Sequence, residues 1–186
     1  MTPTLCLRFG TAGLAALLLA ACSGNQQLPP PCPDVKVLQD AATITKFAEG
    51  QGHDLIDIDF EGEIVDAAGA CEYDVDDDTG EGNLAAEMQV LMQIGRGPAN
   101  TDRKADIGYF IAITDQERNV LNREAFHGTV EFTGNRNRLN WTDEPIYLNI
   151  PLTKGKDGED YLIFVGFTLT PEQVQYNRDQ KIGNAQ

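Results

Sequence analysis

Between Glu49 and Glu81 the chain carries 13 Asp and Glu residues and no Lys or Arg. Its densest stretch, Asp74-Val75-Asp76-Asp77-Asp78-Thr79-Gly80-Glu81, supplies the hard oxygen ligands that Ca²⁺ prefers, which makes Asp74, Asp76 and Asp78 the weak candidate metal ligands. The helix-flanked calcium loop wants Gly at its sixth position and a bidentate Glu at its twelfth. Counting from Asp74 puts Thr79 and Ala85 there, and counting from Asp76 puts Glu81 and Glu87 there. Neither register fits. A solvated hairpin tip accounts for the same residues.

Catalytic chemistry finds less to work with. A hydrolase triad needs a nucleophile activated by His and oriented by an acid. The chain has no Gly-x-Ser-x-Gly elbow, and its one serine, Ser23, lies in a polar segment near the N-terminus. Zinc sites want clustered His and Cys, whereas His53 and His127 stand apart, read as a His at a turn and a His on a strand edge. Gly95-Arg96-Gly97 and Gly108 lack the strand–glycine loop–helix context of a phosphate site. A glycosidase needs two carboxyls across a cleft, and in so acidic a chain sequence spacing says nothing about that. No catalytic set and no cofactor are expected. The only basic region is 96–138, where seven Lys and Arg (Arg103, Lys104, Arg118 and Arg123 among them) meet six acids. Ordinary surface charge explains it, with a docking face for an acidic partner as the alternative. Trp141, Phe110 and Tyr147 are candidates for an interface, with core packing as the default reading.

These residues sit on short segments of period two. Ile56, Ile58, Phe60 and Ile64 alternate with acids, the pattern of a half-buried strand. Cys71–Val75 reads as its neighbour, joined through Ala67-Ala68-Gly69. Leu84, Ala86, Met88, Val90, Met92 and Ile94 share one face, so 84–94 is expected as a strand rather than a helix. Ile107–Thr114 is apolar on both faces, as in a central strand, and 120–132 returns as a strand or two. A loop is expected over 134–140. Ile146–Leu152 and Tyr161–Leu169 alternate around a Gly-containing connection and read as a hairpin. Thr170-Pro171-Glu172 has a helix start, for a short helix ending near Asn177 and a mobile tail. The expected fold is all-β: an antiparallel β-sandwich, immunoglobulin- or fibronectin-III-like, of seven to nine strands. The pattern leaves barrel closure open, while acids on one strand face argue against a membrane barrel.

The N-terminus decides the compartment. Residues 1–21 carry one charge, Arg8, ahead of an apolar run from Phe9 to Ala21. Thirteen residues reach roughly 20 Å as a helix, short of the roughly 30 Å hydrocarbon core, so the segment reads as a cleaved signal peptide rather than a permanent span. Its end, Leu19-Ala20-Ala21-Cys22, resembles the lipobox of bacterial lipoproteins. That resemblance implies diacylglycerol on the Cys22 thiol, cleavage before Cys22 and acylation of the new amine. Two or more acyl chains anchor stably where one does not. Ser23, where the family's inner-membrane retention signal would place Asp, implies sorting to the outer membrane, facing the periplasm. An ordinary cleaved signal with a free Cys22 is the alternative. Residues 22–34 read as a Pro-rich tether and 35–170 as the folded domain. Cys32 and Cys71 then remain as an even pair in an oxidising compartment, and a disulfide between them is expected, with two free or buried thiols as the alternative.

The full chain has 14 Lys and Arg against 29 Asp and Glu; without 1–21 the balance is 13 to 29, near −16. That excludes nucleic acid, which needs cations on its phosphates, and leaves acyl chains as the means of membrane attachment. CPDVKVLQDAATITKF, the Cys71-Glu72-Tyr73 triplet and DYLIFVGFTLTPEQVQYNR resemble a family of uncharacterised alphaproteobacterial lipoproteins. The resemblance implies the same compartment and fold and carries no site. The expected role is a lipid-anchored envelope protein, not an enzyme, that binds or scaffolds another envelope protein. A ligand- or calcium-binding module built on 74–81 is the alternative.

Overall fold

The computed structural model describes residues 30–50 and 52–183. The signal segment 1–21, Cys22 and the first part of the tether therefore lie outside the described residues, as does the tail beyond Gly183. Among the described residues nine strands form two packed sheets, with no closed barrel: an all-β sandwich with one C-terminal helix. Sheet A has the order β1 (Asp34–Val37), β9 (Tyr161–Phe167), β5 (Lys104–Asp115), β6 (Val120–Glu131). Sheet B runs β2 (Thr43–Phe47), β3 (Ile58–Val75), β4 (Gly82–Arg96). On its far side β4 pairs with β8 (Ile146–Leu152) along its first half and with β7 (Arg138–Thr142) along its second. All pairings are antiparallel except β1 with β9.

The core lies between the sheets, where period-two faces meet. From sheet B come Phe60, Leu84, Met88, Met92 and Ile150; from sheet A come Ile107, Tyr109, Ile111, Ile163 and Phe167, all fully buried. The alternation at 84–94 is a strand, as expected, and β5 is central and buried on both faces over Ile111–Thr114.

Local readings fail at five places, each for a physical reason. Ile56 is not in a strand: Leu55–Asp57 is a 3₁₀ turn and the Ile56 side chain is 73% exposed. Cys71–Val75 is not a neighbouring strand but the far end of β3, which pairs with β4 from Phe60 to Val75 across a single bulge. A bulge between Ile64 and Asp66 inserts one residue and reverses which parity faces the core. Ile58, Phe60 and Ile64 point inward before it; Ala67, Cys71 and Tyr73 do so after it. Ala67-Ala68-Gly69 reads as a turn because that phase change falls just before it. A Cβ on Gly69 would sit 2.5 Å from the Glu87 carbonyl oxygen, so only glycine lets β3 and β4 approach at that point. Arg138–Asn140 belongs to β7 rather than to a loop. β8 and β9 are not a hairpin, since their connection crosses from sheet B to sheet A. Both present apolar residues to the same core, and alternation reports facing but not sheet membership.

The fifth failure is the helix, α1 (Pro171–Gly183), which continues well past Asn177. Its start is as expected. Thr170 Oγ1 accepts from Gln173 N–H at 3.3 Å while Gln173 Oε1 accepts from Thr170 N–H at 2.9 Å, a reciprocal cap. Its length comes from long-range anchors. Asn177 donates to the carbonyls of Asp40 and Thr43, and Arg178 and Lys181 both reach the Asp40 carboxylate. Those two cations hold the Asp40 carboxyl below its ordinary value, the Arg178 hydrogen bond contributing most.

Candidate functional site

Three features bear on function: the clamp where the chain enters the domain, the acidic tip beside it, and the free edge of β6. The clamp is built on the end of β3. Cys71 forms a disulfide with Cys32, their Cα atoms 5.8 Å apart. Two residues on, and so on the same face, the Tyr73 hydroxyl donates to the Pro31 carbonyl at 2.6 Å and accepts from Gly158 N–H at 2.6 Å. A Cβ on Gly158 would lie 2.1 Å from the Pro31 oxygen and 2.8 Å from the tyrosine hydroxyl, so the residue there must be glycine. Burial pushes the Tyr73 phenol above its ordinary value of 10.0, and the nearby acids add to the shift. Next to this clamp Pro33 is buried and β1 opens at Asp34.

The acidic tip is the turn between β3 and β4. Asp74, Asp76 and Asp78 are all exposed. Asp76 Oδ1 is occupied within the turn, accepting from the N–H groups of Asp78 and Thr79 at 3.1 and 2.8 Å and from Thr79 Oγ1 at 3.0 Å. Those bonds hold the Asp76 carboxyl below its ordinary value, the Thr79 backbone bond first. Among the described residues no three His, Cys, Asp or Glu side chains converge in a way that could hold a metal ion. His53 packs beside Phe47 with ring centroids 4.9 Å apart, and His127 lies on β6 next to Gly108.

The basic region is dispersed by the fold. Arg138 pairs with Glu61 at 2.8 Å and Lys104 with Glu131 at 3.1 Å. Arg103 donates to the carbonyls of Phe132 and Gly134, and Arg136 to Thr133 Oγ1. Arg118 and Arg123 have no carboxylate partner among the described residues. Of the aromatic candidates, Trp141 packs over Gly128 at the margin of the core, Phe110 lies beneath the Arg123 guanidinium at 4.2 Å, and Tyr147 is 72% exposed.

The free edge went unmarked in the amino-acid pattern, because only topology reveals which strand ends a sheet. Among the described residues β6 pairs with β5 on one side and with no strand on the other. Phe132 N–H donates to the Arg103 carbonyl, and antiparallel bonding alternates from there along the 104–131 register. The N–H and C=O groups of Arg123, Ala125, His127 and Thr129 therefore point away from β5, up to the bulge at Leu121. Val120–Ala125 is exposed on both faces as well. Protein-family models, curated proteins and solved structures were each compared with the chain, and none matches it.

Proposed function

We propose that the protein is a non-catalytic lipoprotein of the cell envelope, anchored through acyl chains on Cys22 and sorted to the outer membrane facing the periplasm. In this reading it binds or scaffolds another envelope protein, which adds a strand to β6. The observation that carries the binding half is the unpaired edge of a strand running from Val120 to Glu131. Such an edge offers main-chain hydrogen bonds for affinity and alternate side chains for selection. The lipobox resemblance at 19–22 supports the anchor, and the clamp at Cys32, Tyr73 and Gly158 fits a domain held from its N-terminal end.

The test is in-cell crosslinking and affinity capture with three chains: native, Cys22→Ser and Ala125→Pro. Proline at 125 removes an outward N–H and leaves the β5 ladder intact, as edge strands tolerate. One envelope protein captured by the native chain and lost with Ala125→Pro, at unchanged thermal stability, is the expected result. Equal capture by Ala125→Pro defeats strand addition at this edge. Intact mass of the mature N-terminus, with a diacylglyceryl adduct that Cys22→Ser abolishes, tests the anchor separately.

A further inference from the structure

The outer face of sheet A, away from sheet B, carries a groove of about 1020 Å³ that the strand-addition reading does not use. Its floor follows from register. Lys36, Phe164, Ala112 and Arg123 are cross-strand neighbours in one row over all four strands, and Gly166, Phe110 and Ala125 form the next row on β9, β5 and β6. From these rows the rings of Phe164 and Phe110 line the groove, while Ala112 is buried beneath them and Ala41 packs over Gly166. Leu38, Ala41 and Val174 close one side of the groove.

The charge of the walls reverses that of the molecule. In a chain of formal net charge −15, Lys36, Arg118, Arg123 and Arg178 surround this groove against one carboxylate, Asp40. Asp40 is already engaged by Arg178 at 2.9 Å and Lys181 at 3.3 Å. Lys36 has a 3.6 Å contact with exposed Asp34. The Arg123 guanidinium stands over the Phe110 ring, 4.2 Å from its centroid, with no carboxylate partner among the described residues. Arg118 projects from the β5–β6 turn at a left-handed φ of 67°. In a chain with twice as many acids as bases, two guanidiniums without carboxylates beside an aromatic trough indicate an anion with an apolar body.

We infer that this groove is a binding site for an anionic amphiphile, a carboxylate-headed acyl chain whose head meets Arg118 and Arg123 and whose tail lies along Phe110, Phe164 and Leu38. The carboxylate takes the guanidinium N–H groups, and the tail covers ring surface now facing water.

The test uses the mature chain from residue 22 carrying Cys22→Ser, without the apolar segment 1–21 or acyl chains, titrated with laurate below its micelle concentration and followed by amide NMR. Laurate is expected to shift Leu38, Phe110 and Phe164. Arg118→Gln/Arg123→Gln, both at exposed positions, is expected to weaken it at least about tenfold, the change produced by a lost charge-assisted hydrogen bond. Lys36→Gln, on the opposite wall, gives a second and smaller reduction. Butyrate, which lacks the tail, and dodecanol, which lacks the charge, are expected to bind at least about tenfold more weakly. Laurate affinity unchanged in both variants, shifts confined to another face, or dodecanol binding as tightly as laurate overturns the proposal. Binding of hexaglutamate here without binding of laurate overturns it in favour of an acidic peptide.

Discussion

The phenol of Tyr109 donates a 2.7 Å hydrogen bond to Asp143 Oδ2, joining the central strand of sheet A to the β7–β8 connection of sheet B. The ring is fully buried and stacks on Phe126 with centroids 5.2 Å apart. The hydroxyl thus enters the core only because a carboxylate from the other sheet meets it. Tyr109→Phe removes the donor and keeps the ring, with an expected loss of about 1–2 kcal/mol. Asp143→Ala leaves the buried hydroxyl without its partner and is expected to cost more, up to about 3 kcal/mol. Urea unfolding of the two variants and their double checks both the magnitudes and the coupling.

Burial, then the Asp143 hydrogen bond, hold the Tyr109 phenol far above its ordinary 10.0. In the unfolded chain the same phenol ionises near 10. The folded state keeps a proton that the unfolded state gives up, so the Tyr109 contribution is intact below about pH 10 and fades as pH climbs beyond it. Native protein should therefore lose stability between about pH 9 and pH 11 more steeply than Tyr109→Phe. Parallel curves sink the assignment.

The entry clamp should be separable into its covalent and hydrogen-bonded halves. The disulfide spans a sequence separation of 39 residues. Cys32→Ser/Cys71→Ser is expected to cost about 4 kcal/mol by loop entropy. Gly158→Ala leaves the disulfide in place but drives a methyl into the Pro31 carbonyl, so a loss in the range of about 1–3 kcal/mol, typical of overpacking, is expected. Denaturant curves give both values, and limited proteolysis near Pro31 should be accelerated in each variant.

Asp40 controls the helix. Its carboxyl is held below its usual 3.8 by Arg178 first and Lys181 second. The stabilisation is present above the unfolded pKa and disappears as pH falls through the lowered folded value. Amide exchange in Pro171–Gly183 should accelerate relative to the sheets below about pH 4, and Asp40→Asn should produce the same loosening at neutral pH. Exchange that stays uniform across helix and sheets contradicts this.

The sandwich was legible from residues such as Leu84 through Ile94, because alternation is a local property that burial on one face imposes. Other features were not local. The phase reversal at Val65 disguised the second half of β3 as a separate strand. Ile146–Leu152 and Tyr161–Phe167 each announced an inward face, and nothing in the pattern stated which sheet each would join. Helix length depended on Asp40, more than 130 residues away in sequence from Arg178. The functional features follow the same division. The Cys32–Cys71 pair was countable, whereas the edge of β6 and the row Lys36, Phe164, Ala112, Arg123 exist only once four strands are in register.

The disulfide at the end of β3 also determines how the domain meets a mechanical load. A pull on the chain ahead of Pro31 does not reach the four-residue β1 first; Cys32 passes it to Cys71, inside the longest strand of the molecule. From there the force runs along β3 and is resisted in parallel by its ladder with β4, as shear, instead of opening β1 from β9 one bond at a time. The Cys32–Cys71 bond thus makes the entry point of the domain a rivet: tension on the N-terminal segment loads the whole of sheet B at once.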